Sequence, residues 1–268
     1  HLNIGIIHSQ IGKTDGVSIV IDQTIHAMVK ELNIPLGNIY YMSGISASRL
    51  QAEVHNVFWH KNNSNKRILS QFSSEPDADL DDFILEKALV AKQQVAKFVE
   101  KNNIDLLIIH NSCHPSNFVY SVGVGLYFEE LRKAGIITPK YLLWWHDSHF
   151  ERERFSKPNP IIKKYLSYIP GAHVDGIVFI NSQQSCMAEA YCKSINKQDT
   201  ELFFNRKTAV IPNTIGISWD WREVETSNKE YLSPNIDHYF ADFFKDIGLT
   251  AQLENLGKSI EDTVLLLQ

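Results

Sequence analysis

Two short stretches concentrate ionisable side chains where an apolar run ends. His110-Asn111-Ser112-Cys113-His114 follows IDLLII, and His146-Asp147-Ser148-His149 follows KYLLWW, running on into the alternating charges Glu151-Arg152-Glu153-Arg154. Three chemistries fit such residues. Histidines three apart with an aspartate between them could ligate a metal, with His110, His114 or Cys113 completing three or four ligands, although no HExxH or paired-cysteine spacing accompanies them. A metal-dependent hydrolase built on His146, Asp147 and His149 belongs to this reading. Cys113 beside His110 or His114 could act as a nucleophile, without a local signature for it. Polar strand ends also suit a hydroxylated or anionic ligand.

A third stretch, SQIGKTDGVS, follows the first apolar run. Gly12-Lys13-Thr14 imitates the end of a phosphate-binding P-loop, but the glycine required five positions earlier is Ile7. No GxGxxG is present. What remains is Asp15-Gly16-Val17-Ser18 opening a helix. Its backbone N–H groups either hold an anion or a sugar hydroxyl, or form only a turn with an N-cap.

Each of these residues also has a structural reading. Trp144 and Trp145 point to opposite faces of a strand and both suit a core. His110 suits a hydrogen-bonded structural histidine. At least two of the four charges at 151–154 suit a solvated surface, as do Lys163 and Lys164.

The elements that must position these residues alternate. Strands are expected at Leu2–His8, Asn38–Met42, Val54–His60, Ile104–His110, Lys140–Trp145, Asp175–Ile180 and Thr208–Ile211. Helices are expected from Val17, over Asp79–Asn102, Asn117–Lys133, Pro160–Tyr168 and Ser182–Lys193. Residues 43–75 otherwise read as polar and irregular. The uninterrupted apolar runs indicate parallel strands buried on both faces. Right-handed crossovers then give an α/β, Rossmann-like parallel sheet with helices on both faces over residues 1–215. Residues 216–268 read as a linker, helices within Asn235–Leu256 and a terminal strand, TVLLLQ.

The totals narrow the partners. With 268 residues, 44% hydrophobic and 21% charged, the chain can bury a large core. Its net charge of −5 argues against nucleic acid as main partner. No apolar run approaches the ~20 residues of a membrane span. The opening HLNIGIIHSQ lacks a signal-peptide pattern and an initiator methionine, and reads as a processed or cut end. Three cysteines without metal or disulfide spacing indicate reduced thiols and a cytoplasmic protein.

Taken in order, DGVSIVIDQTIHAM, IDLLIIHNS, LLWWHDSHFERER, VDGIVFINSQQS and AVIPNTI resemble the amino-terminal half of a retaining glycosyltransferase of family 4, across about residues 2–215. Asp15 stands where members often carry a second glycine, and Thr214 where they often read IPNG. The resemblance implies one half of a GT-B fold. It implies transfer of a sugar from a nucleotide-sugar donor, with retention, to a sugar, glycan or lipid acceptor. No cofactor or metal is implied. His146 would contact the transferred sugar or the acceptor hydroxyl. Asp15, Gly16, Val17 and Ser18 would approach the donor phosphates or acceptor by their backbone. Asp147, Arg152 and Arg154 would meet acceptor hydroxyls or a phosphate, and Asn111 and His114 would line the same cleft.

In such enzymes a carboxyl-terminal Rossmann domain holds the nucleotide through an Arg/Lys pair and a Glu motif. TVLLLQ resembles its first strand, so the expectation is an acceptor domain cut off before its partner domain and nearly inactive alone. A lipid acceptor would place the intact enzyme peripherally at the inner membrane surface. The alternative of another class is a non-catalytic Rossmann-like module that binds a nucleotide or sugar.

Overall fold

The computed structural model describes residues 2–47, 51–194 and 207–213. Seven strands form the sheet: β1 (Ile4–Ile11), β2 (Ile39–Ser46), β3 (Ala52–Val54), β4 (Leu106–His110), β5 (Lys140–Trp145), β6 (Gly176–Phe179) and β7 (Thr208–Val210). Their order is β3-β2-β1-β4-β5-β6-β7, and the pairs β2–β3, β1–β4, β4–β5 and β6–β7 run parallel. The helices are α1 (Gly16–Lys30), α2 (Asn63–Ser70), α3 (Leu80–Asn102), α4 (Phe118–Lys133), α5 (Pro160–Tyr165) and α6 (Ser182–Ser194). A parallel sheet flanked by helices is the Rossmann-like α/β class. The helices and strand expected within 216–268 lie outside the described residues.

The described residues fall into two compact units. One comprises Asn3–Ile11 and Tyr40–Asp175 and carries β1, β3, β4, β5 and nearly all of β2. Strand β4 is LLIIH, buried at every position, as a central strand of a parallel sheet flanked by helices should be. The sheet builds outward from β1 in two directions, to β2 and β3 and then to β4 and β5. Strand order therefore reverses between β1 and β4, and the carboxyl ends of these two strands bound the crevice where such sheets place ligands.

Within this unit α3 and α4 pack closely. A Cβ on Gly123 would stand 2.7 Å from the Ala88 carbonyl oxygen and 2.7 Å from the Ala91 Cβ, so only glycine lets the two helices approach this far. Gly5 of β1 likewise leaves room for Phe98 of α3.

The polar stretch 43–75 is more ordered than its composition suggests. β2 continues to Ser46, and the strand expected over Val54–His60 is instead β3 at Ala52–Val54 followed by a 3-10 turn at Asn56–Phe58. Helix α2 follows, unforeseen because Ile68 is its one buried apolar side chain. Its anchors are amides. Asn62 caps it by accepting from the Asn65 N–H at 2.7 Å. Buried Asn65 donates to the Trp59 carbonyl at 3.1 Å and accepts from the Val119 N–H at 3.3 Å.

The other unit contains Gly12–Ile39 and the described residues from Gly176 on. It holds α1, α6 and the β6–β7 pair, in which Phe179 stands opposite Val210.

Candidate functional site

The first unit gathers five histidines toward the carboxyl ends of its central strands. His8 lies on β1, His110 ends β4, His146 follows β5, His114 follows β4 in the next loop, and His60 follows the 3-10 turn after β3. His110 is the hub. It is fully buried, and its ring stacks on Trp144 with centroids 5.2 Å apart and planes 16° apart. The register of β4 and β5 sets this contact, because His110 and Trp144 are paired across the ladder. The His110 carbonyl accepts from His8 Nδ1 at 3.1 Å and from the Tyr120 hydroxyl at 3.0 Å. Its ring Nδ1 shares a hydrogen bond of 3.2 Å with His146 Nε2. Burial, reinforced by His146 and His8, holds the His110 imidazole well below the usual histidine range, so it is neutral at pH 7.

The loop after β5 divides its charges between two jobs. Asp147 is half-buried and binds Arg152, whose Nε donates to Oδ2 at 2.7 Å and whose Nη2 donates to the same oxygen. This pair raises the Arg152 pKa further. Asp147 Oδ1 accepts from the Ser148 N–H at 2.8 Å. Glu151 turns inward and accepts from Trp145 Nε1 at 3.1 Å and from the Ser148 hydroxyl at 2.6 Å. Glu153 and Arg154 are exposed, with the Arg154 guanidinium 4.5 Å above the Phe155 ring. Two of the four charges therefore shape the loop and two face solvent.

His114 sits beside this pair, its Nε2 3.9 Å from Asp147 Oδ2. That is too long for a hydrogen bond. Burial pushes its pKa down to about 4; Asp147 opposes the fall, while Arg152, Arg154 and His60 add to it. At neutral pH the contact is thus between an uncharged imidazole and a carboxylate already paired with Arg152. His114 Nδ1 accepts from the Ser116 N–H at 3.0 Å, which fixes its proton on Nε2.

Asn111 joins His110 to this loop. Its φ of 56° is left-handed, a conformation asparagine tolerates better than other residues with a side chain. Its N–H donates to the Trp144 carbonyl at 2.9 Å and its carbonyl accepts from Asn117 Nδ2 at 2.7 Å.

Of the expected site residues, His146, Asp147, Asn111, His114 and Arg152 are thus linked through short contacts in one unit, and Arg154 reaches them by its field alone. His149 turns away: it is buried beside Phe72 and Phe150. Trp144 and Trp145 are both buried. Cys113 is buried and has Tyr120 and Tyr141 as electrostatic neighbours. Among the described residues no group of three or more His, Cys, Asp or Glu is arranged to hold a metal ion.

Two members were missed by the sequence reading. His8 lies inside β1, which continues past it to Ile11 instead of ending there. His60 ends the strand expected over Val54–His60, where the chain instead makes a 3-10 turn at Asn56–Phe58. Its Nδ1 is 2.6 Å from the hydroxyl of buried Ser9, which also accepts from the His60 N–H at 2.8 Å. Fifty-one positions separate the two residues, so no local pattern discloses the contact.

Asp15, Gly16, Val17 and Ser18 belong to the other unit. Asp15 is the N-cap of α1, and its Oδ1 accepts from the Val17 and Ser18 amides, both at 3.1 Å. The Ser18 hydroxyl donates to Asp15 Oδ2 at 2.7 Å and accepts from the Lys13 N–H at 3.3 Å. The amides that could hold an anion are therefore bonded to the protein's own carboxylate.

No family model matches the chain, and no curated protein matches it either. No helix among the described residues is long and apolar enough to cross a membrane.

Proposed function

We propose that this chain is the acceptor-side part of a retaining glycosyltransferase with GT-B architecture. The observation that carries the reading is His146. It is half-buried just past a central strand and tied by its Nε2 to an uncharged, buried histidine. A side chain so held can direct a hydrogen bond at a sugar oxygen without shedding or taking a full charge. The five sequence stretches that resemble family 4 support the same reading. In it, the nucleotide is held by a second Rossmann-type domain that is not among the described residues.

The reaction in this reading breaks the bond between the sugar's anomeric carbon and the diphosphate oxygen. It forms a bond from that carbon to the acceptor hydroxyl on the same face. The hydroxyl proton passes to the departing diphosphate. Catalysis is then positioning together with stabilisation of developing charge. His146 bonds the transferred sugar or the acceptor hydroxyl. Asn111, His114 and the Asp147–Arg152 pair line the acceptor side.

The test is to incubate the intact gene product with a panel of nucleotide sugars and candidate acceptors. Nucleoside diphosphate release and the anomeric configuration of the product are then measured. Transfer with retention supports the proposal. Saturable binding without turnover across the panel would make the protein a non-catalytic nucleotide- or sugar-binding module.

A further inference from the structure

We propose that His110 is a positioning residue that fixes His146 in the tautomer carrying its proton on Nδ1. The geometry leaves two arrangements for the shared hydrogen bond. Either His110 Nδ1 donates to His146 Nε2, or His146 Nε2 donates to His110 Nδ1. The other His110 nitrogen distinguishes them. His110 Nε2 is buried and meets no hydrogen-bonding partner among the described residues. If His146 were the donor, a neutral His110 would carry its proton on Nε2, leaving a buried N–H without an acceptor. Orphaned buried donors are the rarer kind of unsatisfied group. With His110 Nδ1 as donor, the leftover atom is a lone pair, and His146 Nε2 becomes the acceptor. A neutral His146 then has its proton on Nδ1.

The surroundings keep His110 in place for this task. A carbonyl oxygen only accepts, so His8 Nδ1 must carry a proton to bond the His110 carbonyl, as the Tyr120 hydroxyl must donate to it. Two donors thus hold the backbone, while Trp144 lies flat against the ring. Imidazole in water favours the proton on Nε2, so His110 selects the less common form. The consequence for transfer rests on the glycosyltransferase reading: the His146 nitrogen turned away from His110 would be a donor and not an acceptor. The tautomer itself does not depend on that reading.

The experiment is a long-range proton–nitrogen correlation spectrum of the full chain labelled with nitrogen-15 histidine, recorded at pH 7. Resonances are assigned by their loss in His146→Gln and His110→Phe. The expected wild-type result is an unprotonated Nε2 and a protonated Nδ1 in His146, with a protonated Nδ1 in His110. Phe at position 110 keeps an aromatic face on Trp144 but cannot share the hydrogen bond. In that variant His146 should move to the Nε2-protonated form. A wild-type His146 protonated on Nε2 overturns the proposal, as does an unchanged tautomer in folded His110→Phe. If that variant does not fold, the wild-type spectrum decides alone. Failure of sugar transfer with the expected tautomer present would count against the proposed function and leave this inference standing.

Discussion

His110 Nδ1 and His146 Nε2 lie 3.2 Å apart, joining a fully buried imidazole to a half-buried one across the ends of β4 and β5. The strand pairing places His110 opposite Trp144, and His146 comes two residues after Trp144, just past the end of β5.

On the proposed glycosyltransferase reading, replacing His146 by alanine in the intact gene product should lower kcat for sugar transfer about 100-fold or more, the usual scale for a positioned polar group at the reacting centre. Its side chain is not core, so thermal unfolding should change little. Steady-state kinetics and a melting curve on the same preparation check both halves.

Acid should destabilise the fold through histidine. His110, His114 and His26 all have folded-state pKa values below the ordinary 6.5, each chiefly because of burial. Between pH 6.5 and 4 the unfolded chain therefore binds protons that the folded chain refuses, and stability falls with pH over that window. His114, held down to about 4 by burial, contributes to that loss over the whole window. Urea denaturation at a series of pH values should show the loss, and His114→Gln should flatten the curve.

Asp147→Asn removes the carboxylate that binds Arg152 and the one neighbour that favours a charged His114. The ion pair is half exposed on the arginine side, so the stability cost should be below about 1 kcal/mol. The His114 pKa should drop further below about 4, which a histidine titration by NMR would read.

Asn111→Gly should leave the fold intact, whereas Asn111→Val should cost about 2 kcal/mol. A β-branched side chain resists the left-handed backbone at φ 56°. Denaturant midpoints of the two variants give the comparison.

Gly123→Ala places a methyl group 2.7 Å from the Ala88 carbonyl and should cost about 1–3 kcal/mol as α3 and α4 separate. A melting curve measures it.

The sheet was legible because its strands are locally unambiguous. LLIIH is apolar up to its final His110 and KYLLWW is apolar after its opening Lys140, and each is followed by a loop whose composition breaks the pattern. Helix α2 was not, because polar amides hold it: Asn62 and Asn65 are buried among backbone groups, and a hydrophobic pattern carries no trace of such contacts. The same reason hid His8 and His60. Ser9 and Gln10 look like loop residues yet continue β1, and the Ser9–His60 bond joins segments far apart in sequence. The strand-end residues of the candidate site were visible as types. Their division of labour was not, since whether Glu151 faces inward or Arg152 meets Asp147 depends on how the loop closes.

The Asp15 cap bears on competition at the start of α1. A carboxylate tethered one residue away from the helix it caps is present at an effective concentration far above that of any dissolved anion. A phosphate arriving at the Val17 and Ser18 amides must displace that resident ligand and then sit beside its negative charge. A neutral hydroxyl bears no such electrostatic penalty. The cap thus sets a negative charge against the amides an anion would need, and shortening Asp15 to serine would remove that charge while keeping a capping oxygen.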